Sequence, residues 1–269
     1  MNPSPQWLTS ELSQSGIATI TLNRPDKHNA FDDQLIELFI VQLQSLAIDA
    51  RVRGLILTGT GKSFSAGADL AWMQRMAEYD EATNIADAEQ LALLMQLLDS
   101  FPKPTLALVN GAAFGGAVGL IACCDSVISA NSASFCFSEV RIGLIPAVIS
   151  PFVINKMGMS WGRHLMTSAI VFTANQAHTY GLVHQVVALN DLHSAREQWV
   201  SVTLGNSPDA VTHIKQLLQV LNTHSPIAKD NLTKTTARTT KAIANSRVSL
   251  SGQAGLKAFL TKSQAPWKQ

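Results

Sequence analysis

Two stretches of small residues are the parts of this sequence best suited to chemistry. Phe64-Ser65-Ala66-Gly67-Ala68-Asp69-Leu70 and Asn110-Gly111-Ala112-Ala113-Phe114-Gly115-Gly116 are rich in glycine and alanine, which leave backbone N–H groups accessible. Two such donors converging on one point stabilise an oxyanion, and where a helix starts its dipole adds to them. Tight turns at which the backbone crosses closely have the same composition, so either junction alone permits both readings. Other chemistries fail on spacing. Gly61-Lys62-Ser63 ends like a phosphate-binding loop, but Ile56 stands where that motif needs its first glycine. Phe64 occupies the third glycine position of a dinucleotide fingerprint begun at Gly59, and Gly61-Lys62-Ser63-Phe64-Ser65 lacks the last glycine of a nucleophile elbow. The seven histidines include no pair at zinc-site spacing, so no metal site is expected.

The junctions must be positioned by strands and helices. Residues 19–22 alternate as a half-buried strand, and Asn23 to Asn29 supply loop chemistry. Asp32 or Asp33 can cap a helix reaching about Ala50, with Leu35, Ile36, Phe39, Leu43 and Leu46 on one face. Strands are predicted over 54–58 and 105–109, each followed by one of the glycine-rich loops, with helical pattern resuming around 91–98. Shorter strands are predicted near Val127 and over 134–137, and small helical segments after Pro146. Beyond Asp191 the periodicity is helical: 192–204, 208–221, 227–244 and 252–262. This order predicts an α/β core over 1–200 and a helical region over 201–269.

The chain has 269 residues, of which 46% are hydrophobic and only 14% charged, so part of its surface is expected to be covered by copies of itself. A formal charge of +1 supplies none of the basic character that nucleic-acid binding needs. No apolar run reaches the ~18 residues of a membrane span. Residues 1–7 lack the pattern of a secretory signal or transit peptide, and a cytoplasmic location is expected. Cys123 and Cys124 are adjacent among three cysteines, which suits buried apolar residues rather than a disulfide framework or a metal site.

Across essentially its whole length the chain resembles the crotonase, or enoyl-CoA hydratase/isomerase, superfamily. The matching segments, in order, are Ile20-Thr21-Leu22-Asn23-Arg24-Pro25 with Asn29-Ala30, the Phe64 to Leu70 loop, Asn110-Gly111 with Gly115-Gly116, Cys124-Asp125, Ser138-Glu139 with Gly143-Leu144-Ile145-Pro146, and Ala258-Phe259 with Lys262. Within the superfamily, the run from Ser138 to Pro151 is most similar to bacterial methylglutaconyl-CoA and isohexenylglutaconyl-CoA hydratases. The resemblance implies a spiral of repeated strand-strand-helix turns forming two sheets, then helices that build a homotrimer or a dimer of trimers.

It also implies roles for particular residues. The N–H groups of Ala68 and Gly116 would form the oxyanion hole for a thioester oxygen, and Glu139 would be the catalytic carboxyl, its pKa raised by apolar neighbours. Two-glutamate hydratases carry their first glutamate three residues after Gly116, where this chain has Gly119. That glycine is expected to leave a space for a substrate branch, and Arg141 either meets a distal carboxylate or forms a structural ion pair. Coenzyme A enters only as part of the acyl-CoA substrate, with no separate cofactor. Its adenine is expected near Ala66, with Asp69 and Leu70 along the approach and Lys27 near the nucleotide end. Phe259 and Lys262 would reach the coenzyme of a neighbouring subunit, unless they are an ordinary core aromatic and a solvated lysine. Arg24 and Lys62 are further candidates for phosphate, whereas Lys229, Lys234, Arg238, Lys241 and Arg247 read as a solvated helix face. The implied activity is hydration of a branched or carboxylated enoyl-CoA. Its competitors are enoyl-CoA isomerisation, which also runs on the single glutamate, and a non-catalytic CoA-binding member.

Overall fold

The computed structural model describes residues 6–222 and 229–268. The start of the N-terminal segment, the first positions of the helix expected over 227–244, and the side chains of Lys229 and Lys234 lie outside the described residues.

Strands β1 (Leu8–Leu12) and β2 (Ile17–Leu22) form an antiparallel pair. Asp32 caps α1 (Asp33–Ile48) by accepting the Leu35 N–H at 3.0 Å, and the five apolar residues expected on one face of this helix are all buried. Three turns of one plan follow. The first is β3 (Gly54–Gly59), β4 (Ser63–Ser65), α2 (Leu70–Met76) and α3 (Glu81–Asp99). The second is β5 (Thr105–Val109), β6 (Ala112–Phe114) and α4 (Gly116–Ala122). The third is β7 (Ser126–Ala130), β8 (Ser134–Cys136), a 3-10 turn over Glu139–Ile142 and α5 (Ser150–Ser168). Then come β9 (Phe172–Thr173), α6 (Ala174–Thr179) and β10 (Gln185–Val187). The chain continues through α7 (Leu192–Leu204), α8 (Pro208–Asn222), α9 (Lys229–Val248) and α10 (Leu250–Leu260).

The first strand of each turn enters a six-stranded sheet in the order β1-β2-β3-β5-β7-β10, and the second enters a four-stranded sheet in the order β4-β6-β8-β9. This is the expected α/β spiral of repeated strand-strand-helix units with helices at its end. Its consequence for the site is direct. Strands β4, β6 and β8 are parallel neighbours, so the segments that leave their carboxyl ends emerge at one edge of one sheet. Those segments carry Ala68, Gly116 and Glu139. Beneath the third of them Phe172 stacks on Phe135 and Phe137, at centroid distances of 5.5 and 6.1 Å, which anchors β8 just before Glu139.

Helix α7 crosses the expected boundary at residue 200. Its Leu192 and Ala195 pack in a small core with Ile17, Ile56, Leu106 and Ile128. Helix α8 docks on the spiral through Thr212, which donates to the Pro102 carbonyl at 3.0 Å, and through Lys215, which pairs with Asp125. Among the described residues no helix is long and apolar enough to cross a membrane, and no group of histidine, cysteine or acidic side chains could hold a metal.

Candidate active site

The Ala68 N–H is left unclaimed by the way its neighbours pair. Phe31 donates to the Gly67 carbonyl and accepts from the Asp69 N–H, both at 2.9 Å, which brackets Ala68 while using neither of its own polar groups. Gly67 is held at φ +87, and a side chain there would stand 2.6 Å from the Phe114 carbonyl oxygen. The two glycine-rich junctions therefore touch, and only glycine permits the approach.

On the second junction the Gly115 N–H donates to Cys136 O at 2.8 Å and the Val118 N–H turns back to Gly115 O. Gly116 opens α4, so its N–H has no acceptor within the helix, and none elsewhere among the described residues. Phe31 backs this position, its ring 2.9 Å from where a Gly116 Cβ would be. The backbones cross closely, and the crossing leaves the Ala68 and Gly116 N–H groups without an acceptor among the described residues.

Glu139 completes the arrangement. Its Oε1 lies 3.3 Å from where a Cβ on Gly115 would sit, which sets the carboxyl over the residue before the Gly116 donor. Its Oε2 is buried without a hydrogen-bond partner among the described residues. Burial pushes the carboxyl above its ordinary value, and a bond from its own backbone N–H offsets this only in part. A half-buried carboxyl with a free oxygen is equipped to give or take a proton.

Two expectations around it need correction. The space expected at Gly119 is not there: a Cβ on that residue would collide with Ile149 Cγ2 at 2.2 Å. Arg141, considered for a distal carboxylate or a structural ion pair, makes no ion pair among the described residues and donates from one guanidinium nitrogen to the Ala169 carbonyl at 2.5 Å, where Ala169 ends α5 in a left-handed conformation. The guanidinium ties the Glu139 turn to the end of that helix, and the bond is to a carbonyl rather than an ion pair.

The residues expected along the coenzyme divide into two groups. Asp69, only 4% exposed, caps α2 by accepting the Ala71 N–H at 2.8 Å and receives Arg24 and Lys27, each at 3.0 Å. Burial raises its carboxyl, but the bonds from Lys27 and Ala71, with the charges of Lys27 and Arg24, more than offset that and hold it below its ordinary value. It braces the segment that follows Ala68 rather than lining an approach. Arg24 is equally enclosed: it bonds Asp32 and Ala30 O, both at 3.0 Å, and stacks on Trp7, so it is not placed to meet a phosphate. Lys27, Lys62, Ala66 and Leu70 are exposed near the first junction, although the Ala66 N–H is already spent on His28 O. Phe259 is 82% exposed, which removes the alternative of a core aromatic, and Lys262 is exposed beyond the end of α10. Ile149 and Phe31 were missed as site residues because each meets the site through contacts distant in sequence.

The chain matches the Enoyl-CoA hydratase/isomerase family model over residues 12–269. It is 30% identical to a putative enoyl-CoA hydratase of Thermus thermophilus, over 78% of this chain and 83% of that protein. It is 32% identical to the 2,3-dehydroadipyl-CoA hydratase of Escherichia coli, over 77% and 79% respectively. The crystal structure of an enoyl-CoA hydratase from Shewanella pealeana superposes with a TM-score of 0.91 at 44% identity, over 97% of this chain and 96% of that one. From its fold, its motifs and these relatives, the chain belongs to the enoyl-CoA hydratase/isomerase family.

Proposed function

We propose that the protein adds water reversibly across the double bond of an α,β-unsaturated acyl-CoA thioester, with Glu139 handling both protons. The observation that carries this reading is the Glu139 carboxyl, lifted by burial and with one oxygen unpartnered, beside the free N–H groups of Ala68 and Gly116. A neutral carboxyl is bifunctional. One oxygen gives its proton to the α-carbon while the other takes a proton from the water whose oxygen bonds to the β-carbon. The carboxyl ends protonated on its other oxygen, so atoms and charge balance and the addition is syn. Negative charge that develops on the thioester oxygen meets the two backbone donors, each worth ~2.7–4 kcal/mol in such sites.

For the acyl group we propose a branched, carboxylated one such as 3-methylglutaconyl-CoA. The support is the similarity of Ser138 to Pro151 to the glutaconyl-CoA hydratases, together with a relative named for 2,3-dehydroadipyl-CoA. A homotrimer or dimer of trimers is proposed to form through the C-terminal helices, with Phe259 and Lys262 reaching a neighbour's coenzyme, in the cytoplasm. Isomerisation of a 3-enoyl-CoA is the competing reading, favoured by the single carboxyl: an ionised Glu139 would take a proton at C2 and return it at C4. Assays of the purified protein with 3-methylglutaconyl-CoA, crotonyl-CoA and a 3-enoyl-CoA separate the two. Hydration of the first, faster than of the second, is expected. Conversion of 3-enoyl- to 2-enoyl-CoA with no hydration of any branched glutaconyl thioester would overturn the proposal.

A further inference from the structure

Gly119 lies one turn beyond Gly116 on α4, so a side chain there would project along the helix face that bears the oxyanion donor. That direction is filled. A Cβ on Gly119 would stand 2.2 Å from Ile149 Cγ2, 2.7 Å from Ile149 Cβ and 3.3 Å from Met95 Cε. Ile149 is 2% exposed and sits at the start of α5, at the far end of the loop that begins with Glu139. Met95 is fully buried on α3. Ile149 is thus a knob in a notch that only glycine can form, joining α3, α4 and α5 behind the donor.

Every residue of α4 from Ala117 to Ala122 is buried and carries no ionisable group. Beyond it, the Cys123 thiol contacts Met95 and is pushed well above its ordinary value by burial, so it stays neutral. The groups that face Glu139 from its own strand and turn are the Cys136 thiol, raised by burial, and Arg141, whose guanidinium is held by Ala169 O. Helices α3 and α5 bring Met95 and Ile149 to the notch; their charged Asp99 and Lys156 bear on the Cys123 thiol, and neither contributes to the shift of Glu139. Helix α4 itself therefore has no group that exchanges a proton at neutral pH.

We propose that Ile149 is a specificity-determining residue: by filling the Gly119 notch it keeps a second acid and its water away from the acyl group, so that Glu139 alone transfers both protons. This rests on the reading of Glu139 given above, and the experiment separates the two. The kcat of the wild-type enzyme on 3-methylglutaconyl-CoA is expected to follow one ionisation, falling as pH rises. Gly119→Ala is expected to lower Tm by about 4 °C or more through overpacking, and Ile149→Ala in the same chain to recover most of that loss. Gly119→Glu with Ile149→Ala is expected to hydrate crotonyl-CoA about tenfold faster than wild type, with an added acidic limb that makes its pH profile bell-shaped.

A bell-shaped wild-type profile, or a Gly119→Ala variant as stable as wild type, overturns the inference. So does a folded double variant with a one-limbed profile and no gain on crotonyl-CoA. If the double variant does not fold, the wild-type profile and the alanine pair decide. Glu139→Gln is the control. Full turnover in that variant sinks the reading of Glu139 itself, whereas an inactive variant beside a bell-shaped wild-type profile sinks only the role of Ile149.

Discussion

Glu139 is held where an ionised carboxylate is least welcome, and that has a measurable thermodynamic sign. Its folded-state pKa is raised, so the native state binds the proton more tightly than the unfolded chain does. The stability this gives is fully present below the unfolded value and is lost as pH rises through the folded one. Glu139→Gln keeps the shape and removes the charge. By calorimetry the variant is expected to melt above wild type at about pH 8 and to draw level with it below about pH 3, where Glu139 is neutral in the folded and the unfolded chain alike; a difference that stays the same at both would contradict a raised pKa. The donors are testable too. Ala68→Pro deletes an N–H that no group of the chain uses, so kcat is expected to fall about 10²–10³-fold while Tm stays close to wild type. At this scale the sequence went as far as types and spacing allow. Gly119 showed a missing side chain, but the residue occupying its place lies on another helix, and no local pattern connects it to Ile149.

Between residues and fold stand the clamps that hold elements to one another. Arg24, 5% exposed, bonds the N-caps of two helices, Asp32 of α1 and Asp69 of α2, and Asp69 follows the Ala68 donor directly. Arg24→Met would leave both carboxylates short of a partner, a loss that in buried pairs costs about 3 kcal/mol or more. Its denaturation midpoint is expected to drop accordingly, and kcat to fall with it as the oxyanion loop loosens. The Asp69 part of that difference should narrow in acid, since a depressed carboxyl gives stability above the unfolded value that is lost as pH falls through the folded one. A variant as stable as wild type would refute the clamp. Sequence placed β5 and α7 at their observed limits, because an apolar run after two prolines and a long helical period are strong signals. It did not show β4, β6, β9 or β10, which have two or three residues each and no room for alternation. Nor could it show that Arg24 is enclosed, since the two aspartates that enclose it come from different helices.

For the whole molecule, the tail is the part whose surface is unfinished. Val248, Leu250, Phe259 and Leu260 are between 75% and 93% exposed on α9 and α10, an arrangement that invites cover by another copy. Light scattering is expected to give a trimer or a multiple of it; a monomer would contradict the proposed assembly. Phe259→Ala with Lys262→Ala should raise KM about tenfold at unchanged kcat if these residues meet a coenzyme, since such contacts bind ground and transition states alike. The central claim is that Glu139 performs the chemistry, and the most direct test is Glu139→Gln in the intact protein. Turnover of 3-methylglutaconyl-CoA would be measured alongside calorimetric affinity for the thioester. Turnover is expected to fall below about a tenth of wild type while affinity stays within about tenfold; a variant that retains more than that tenth would contradict the assignment.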